Sequence, residues 1–75
     1  ENMSIMEIKS NKAENIIDLL IEAKMAASRG EAKRLIDGKG IKIDDEVISD
    51  YDFPIIKTEF VLQNGKKVIQ KVKLV

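Results

Sequence analysis

The stretch Ser28-Arg29-Gly30-Glu31-Ala32-Lys33-Arg34-Leu35-Ile36 decides the fold. A serine followed three residues later by a glutamate is a capping box. The serine oxygen takes a free amide of the first helical turn, and the glutamate reaches back to the serine amide. A helix is therefore expected to start at Ser28. At about 100° per residue, Ala32, Leu35 and Ile36 fall within one arc. Arg29 and Lys33 flank that arc, and Arg34 points nearly opposite to it. The helix has a narrow apolar seam and a cationic outer surface. Such a surface is either a solvated face, the ordinary place of basic side chains, or a holder of phosphates.

Upstream, Asn11 and Glu14 form a second capping box, so a first helix is expected from Asn11 to Ala23 or Lys24. Ala13, Ile16, Ile17, Leu20 and Ala23 follow its i, i+3, i+4 stripe. Only residues 24–27 remain to join the two helices, which makes a helix-turn-helix-like hairpin. Downstream, either Gly38 or Gly40 can take the left-handed C-cap. Ile41-Lys42-Ile43 alternates as a strand does, and Asp44-Asp45 forms a turn before Val47 and Ile48. Residues 49–54 make a loop that Pro54 keeps out of a central strand. Glu59 to Gln63, Asn64-Gly65 and Lys66 to Val75 make a hairpin on a type I′ dipeptide. Ser4 to Ile8 is a short extended run. The fold class is α+β: a two-helix hairpin packed on a small antiparallel sheet. Residues 1–10 form a linker remnant with that extended run, and residues 11–75 form a single domain.

With 75 residues the chain makes one domain, and it buries only about 60% of its unfolded surface. A deep catalytic cleft has no room. The absence of cysteine and histidine excludes disulfides, thiolate or imidazole metal sites and Ser-His or Cys-His nucleophiles. No apolar run approaches the roughly 20 residues that cross a bilayer. The first ten residues, with Glu1, Glu7 and Lys9, do not make a signal peptide. The start at Glu1 suggests a domain cut from a longer protein. Gly38-Lys39-Gly40 is too short for a phosphate loop. The acids at 44–46, 50 and 52 lack the spacing and central glycine of a calcium loop. No residue is assigned to catalysis, and no cofactor or metal is expected in this domain.

The net charge is zero, but it is unevenly spread. Lys24 to Ile43 carries six basic residues against two acidic ones, and Phe60 to Val75 carries four lysines and no acid. Asp44 to Glu59 carries six acids and one lysine, and Glu1 to Ala23 carries five acids and two lysines. A neutral chain can still present a strongly positive face.

The segments N-I-I-D-L-L, A-A-S-R-G-E-A-K-R-L-I and G-I-K-I-D-D-E-V-I resemble the alpha-L RNA-binding fold named after ribosomal small-subunit protein four. Ser28, Arg29, Ala32, Lys33-Arg34 and Leu35-Ile36 match its second helix, and Gly40 with Ile41 to Ile48 matches its hairpin. Within that fold the chain is similar to the C-terminal domain of bacterial tyrosyl-tRNA synthetases. The match rests on Ile16-Ile17, Leu19-Leu20 and Ala23, on Glu31-Ala32 with Arg34-Leu35-Ile36, and on Phe60-Val61-Leu62, Gly65-Lys66-Lys67 and Val68 to Leu74. The likeness covers roughly residues 13–75. The chain departs from the fold where a glycine is common in the helix-helix turn and Lys24 stands instead. A left-handed Lys24 costs about 1 kcal/mol.

The resemblance implies a cytoplasmic, non-catalytic tRNA-binding domain of a tyrosine–tRNA ligase, with tRNA-Tyr as partner and no membrane. ATP and tyrosine belong to a catalytic domain outside this chain. The parent is expected to be a homodimer and the isolated domain a monomer. The residues expected at RNA are Ser28, Arg29, Lys33 and Arg34, helped by the positive N-terminus of their helix. Lys39 and Lys42 extend the set, with Lys66, Lys67 and Lys71 beyond. Three other readings stay open at this level. One is the same module in a pseudouridine synthase or ribosome-associated protein. Another is a protein-interaction module built on Tyr51, Phe53, Pro54, Ile55 and Ile56. The last is a DNA-binding helix-turn-helix, disfavoured because the second helix lacks Asn or Gln to read adenine.

Overall fold

A computed structural model describes residues 5–65 and 68–75. Strand β1 (Ile5–Ile8) leads through a 3-10 turn (Ser10–Lys12) to helix α1 (Ile16–Glu22) and helix α2 (Arg29–Asp37). Strands β2 (Ile41–Ile43), β3 (Glu46–Val47), β4 (Glu59–Asn64) and β5 (Val68–Leu74) follow. Among the described residues the sheet has five strands in the order β1-β5-β4-β2-β3. The α+β expectation holds. The sheet is mixed rather than purely antiparallel, because β1 lies parallel to β5 at one edge, with Met6 opposite Val72 and Ile8 opposite Leu74. The adjacent Ile5 and Met6 conceal this strand from a period-2 reading. Met6 and Ile8 pack inward, and Ile5 points out.

The helices cover one face of the sheet. Ile16, Ile17, Leu19 and Leu20 of α1 and Ala32 and Ile36 of α2 share one core with Ile41, Ile43, Phe60, Leu62, Val72 and Leu74. Each fully buried Leu or Ile there contributes roughly 1.5–3 kcal/mol.

The first helix starts later than its sequence suggests. Ser10 N donates to Val75 O at 2.9 Å, and Val75 N donates to Ile8 O at 2.9 Å. These bonds hold the chain against β5 through residue 10, so Asn11 falls in the 3-10 turn. Asn15 is the cap instead, and its Oδ1 accepts from Asp18 N at 2.9 Å. Ser28 caps α2 as expected, accepting from Glu31 N at 3.2 Å. The Glu31 carboxylate reaches one residue further back than in a capping box and accepts from Ala27 N at 2.6 Å.

Both helices end in a Schellman motif built on a lysine. After α1, Lys24 N donates to Ile21 O and Met25 N to Leu20 O, at 3.1 and 3.0 Å. After α2, Lys39 N donates to Ile36 O and Gly40 N to Leu35 O, at 3.0 and 3.4 Å. The residue between each such pair of bonds must be left-handed, and Lys24 (φ 63°) and Lys39 (φ 59°) are. Lys24 thus takes the left-handed place where the resembled fold commonly has a glycine. Neither Gly38 nor Gly40 takes the left-handed place after α2. Gly38 is the C-cap, at φ −75°.

Asp44 (φ 52°) and Asp45 (φ 70°) form the expected turn between β2 and β3. The β4–β5 turn is not closed by Asn64-Gly65 alone. Asn64 pairs with Ile41 on one side and Val68 on the other, so two ladders hold it in the strand. The turn begins at Gly65 (φ 67°). Lys66 and Lys67 lie outside the described residues.

Candidate nucleic-acid interface

Arg29, Lys33 and Arg34 are exposed on α2, and Lys39 is exposed just beyond it. Their states differ. Arg29 Nη2 lies 3.0 Å from Asp18 Oδ1, an ion pair that joins α2 to α1. Lys33 Nζ sits 5.6 Å from the centroid of the Tyr51 ring, within reach of a cation–π contact. Arg34 and Lys39 have no hydrogen-bonded or charged side-chain partner among the described residues. Lys39 follows the negative end of the α2 dipole, where a cation is favoured.

At the N-terminus of α2 one of the first-turn amides is already used. Ser28 Oγ already accepts from Glu31 N, and Ser28 O accepts from Ala32 N at 3.0 Å. The Glu31 carboxylate adds a negative charge there. Ser28 acts as the cap of the helix, and the exposed Lys33, Arg34 and Lys39 lie along its middle and just beyond its end.

The expected residues do not all share one surface. Lys42 lies between the buried Ile41 and Ile43, so it projects from the sheet face opposite the helices. It is half-buried there, opposite Gln63 of β4. Lys71 is opposite Val61 and on the same open face. Exposed Ile5, Val47 and Ile69 share that face with them. Lys66 and Lys67 fall outside the described residues.

A shallow apolar groove of about 100 Å³ opens elsewhere, lined by Ile43, Ile48, Phe53, Pro54, Ile55 and Phe60 among others. Glu46 and Lys57 also line it. Lys57 Nζ lies 2.7 Å from Asp44 Oδ2, and Val61 N donates to Asp44 Oδ1 at 3.0 Å. The hydrogen bond from Lys57, and then that from Val61, holds the Asp44 carboxyl below its ordinary 3.8. The same bond with Asp44 raises Lys57.

Sequence reasoning missed Tyr51 as a member of the α2 surface. Its O–H donates to Asp37 Oδ1, and that bond raises the phenol above its ordinary value. Only the fold brings residue 51 to the helix. Ile16 N donates to Phe53 O at 3.0 Å, and Ile55 N donates to Glu14 O at 3.1 Å. These bonds fasten the loop beside the start of α1.

The model of the tyrosine–tRNA ligase SYY-like C-terminal domain family matches residues 1–72. A tyrosine–tRNA ligase of Acetivibrio thermocellus is 35% identical over 83 aligned positions, covering 100% of this chain and 20% of that protein. One from Thermotoga maritima is 40% identical over 73 positions, covering 96% of this chain and 18% of that protein. Tyrosine–tRNA ligase 1 of Pseudoalteromonas translucida is 39% identical over 64 positions, covering 80% and 15%. The chain thus spans a fifth or less of the length of these relatives. No helix among the described residues is long and apolar enough to cross a membrane.

Proposed function

Because the chain belongs to the tyrosine–tRNA ligase SYY-like C-terminal domain family, we propose that it grips tRNA-Tyr for a cytoplasmic tyrosine–tRNA ligase. ATP and tyrosine act in the part of the ligase outside this chain, and the whole ligase is a homodimer. The observation that carries the reading is that Lys33, Arg34 and Lys39, on and just beyond α2, are exposed and none of them is paired with a carboxylate among the described residues. Unpaired cations can replace the counterions condensed on a phosphate backbone, and that release drives binding. Structured RNA is met mostly through shape, phosphate and 2′-hydroxyl contacts, which suits exposed basic side chains that have no carboxylate partner. Arg29 adds less, because Asp18 already neutralises it. Lys42 and Lys71, on the opposite face, stand outside the main contact. Specificity grows when the domain is tethered to a catalytic part that holds the same tRNA.

Fluorescence anisotropy with tRNA-Tyr, a second tRNA and duplex DNA tests this reading. It predicts binding to tRNA-Tyr that weakens with salt and exceeds binding to the other two. Equal affinity for duplex DNA would contradict it and revive the helix-turn-helix reading. No binding at low salt would point to a protein partner instead.

A further inference from the structure

Lys33 and Asp37 stand four residues apart on α2. At that spacing a lysine and an aspartate are neighbours on the helix surface and ordinarily attract each other. Yet the ion pairs among the described residues are Arg29–Asp18 and Lys57–Asp44, and Lys33 and Asp37 form none. Tyr51 stands between them. Its hydroxyl donates to Asp37 Oδ1, and its ring face takes the Lys33 ammonium 5.6 Å from the centroid.

We infer that Tyr51 is a positioning residue for the RNA contact: it occupies the Asp37 carboxylate and holds the Lys33 ammonium over its ring, so that Lys33 stays available to phosphate. This inference rests on the tRNA-binding reading above and names a device that serves it.

The chemistry is that of divided partners. A carboxylate beside Lys33 would take its N–H donors and cancel its charge toward a phosphate. A ring face attracts the ammonium through the quadrupole and leaves N–H donors pointing outward. Asp37 is also the last residue of α2, where the helix dipole disfavours a negative charge, so a hydrogen-bond donor is welcome there. The ring is well placed to act. Phe53 N donates to Asp50 O at 3.2 Å, and Asp52 N donates to Asp50 Oδ1 at 3.0 Å. These bonds shape the loop around Tyr51, and the bonds to Glu14 and Ile16 anchor it to α1.

The test is a salt series of tRNA-Tyr binding by anisotropy, with the chain and four variants: Lys33→Gln, Tyr51→Phe, Asp37→Asn and Tyr51→Phe with Asp37→Asn. Tyr51→Phe keeps the ring and removes only the hydroxyl. It frees the Asp37 carboxylate to pair with Lys33. Its log-log salt slope is expected to become shallower by about 0.7 to 0.9, the share of one phosphate, as with Lys33→Gln. With Asp37→Asn in place the hydroxyl no longer matters, so the double variant should bind as Asp37→Asn does. A merely structural role for Tyr51 would weaken both backgrounds alike. If Tyr51→Phe matches the parent while Lys33→Gln weakens binding, the inference fails and the tRNA-binding reading stands. If the parent shows no salt-dependent binding, the reading fails and takes the inference with it.

Discussion

Arg29 of the second helix holds Asp18 of the first, with Nη2 and Oδ1 3.0 Å apart. The helix hairpin is thereby stapled by a cation that the sequence offers to RNA. Asp18→Asn should release it. Both partners are solvent-accessible, with side chains 67% and 29% exposed, so the stability cost after screening should stay below about 1 kcal/mol. Affinity for tRNA-Tyr should rise and the salt slope should steepen. Thermal unfolding and anisotropy on the same samples check both. A weaker-binding Asp18→Asn variant would mean that Asp18 orients Arg29 for its contact.

The two left-handed lysines separate stability from binding. Glycine removes the Cβ clash at positive φ, worth about 1 kcal/mol. Lys24→Gly and Lys39→Gly should each raise the urea midpoint. Only Lys39→Gly should also weaken tRNA binding, because Lys39 lies in the proposed contact. If both variants bind as the parent does, Lys39 is not part of it.

Asp44 sets a pH dependence with a definite sign. Its folded pKa lies below the ordinary 3.8 because Lys57 and the Val61 amide bond its charged form. The stability it contributes is therefore complete above about pH 4 and is lost as the pH falls through the lower folded value. The difference in urea midpoint between the parent and Asp44→Asn should be constant from pH 7 to about 5 and change as the pH drops below 4. A difference that does not vary with pH would show that the ion pair is energetically silent.

What the sequence made legible was local. The α2 cap at Ser28 and the seam of Ala32, Leu35 and Ile36 follow from neighbours a few residues apart, while the left-handed place of Lys24 was suggested by the resemblance alone. The misses come from contacts between distant parts of the chain. Asn11 reads well as a cap until β1 pairs with β5. Asn64-Gly65 reads as a two-residue turn until β2 and β5 both claim Asn64. Lys39 takes the left-handed place because the Schellman bonds close around it, although a glycine stands on either side. The cationic residues were legible as types and not as a surface. Alternation between Ile41 and Ile43 turns Lys42 to the far side of the sheet, and Asp18, from the other helix, engages Arg29. Tyr51 reaches Lys33 and Asp37 only through loop bonds to Glu14 and Ile16.

On the proposed function, the middle and end of α2, and not the open sheet face or the apolar groove, meet RNA. Amide chemical-shift mapping of the isotope-labelled chain during titration with tRNA-Tyr separates these three surfaces. The largest changes are expected at Lys33, Arg34, Lys39 and Gly40, while Ile5, Val47, Ile69 and Ile56 stay in place. Changes concentrated at Lys42, Ile69 and Lys71, or along Phe53 to Ile56, with α2 silent, would contradict it.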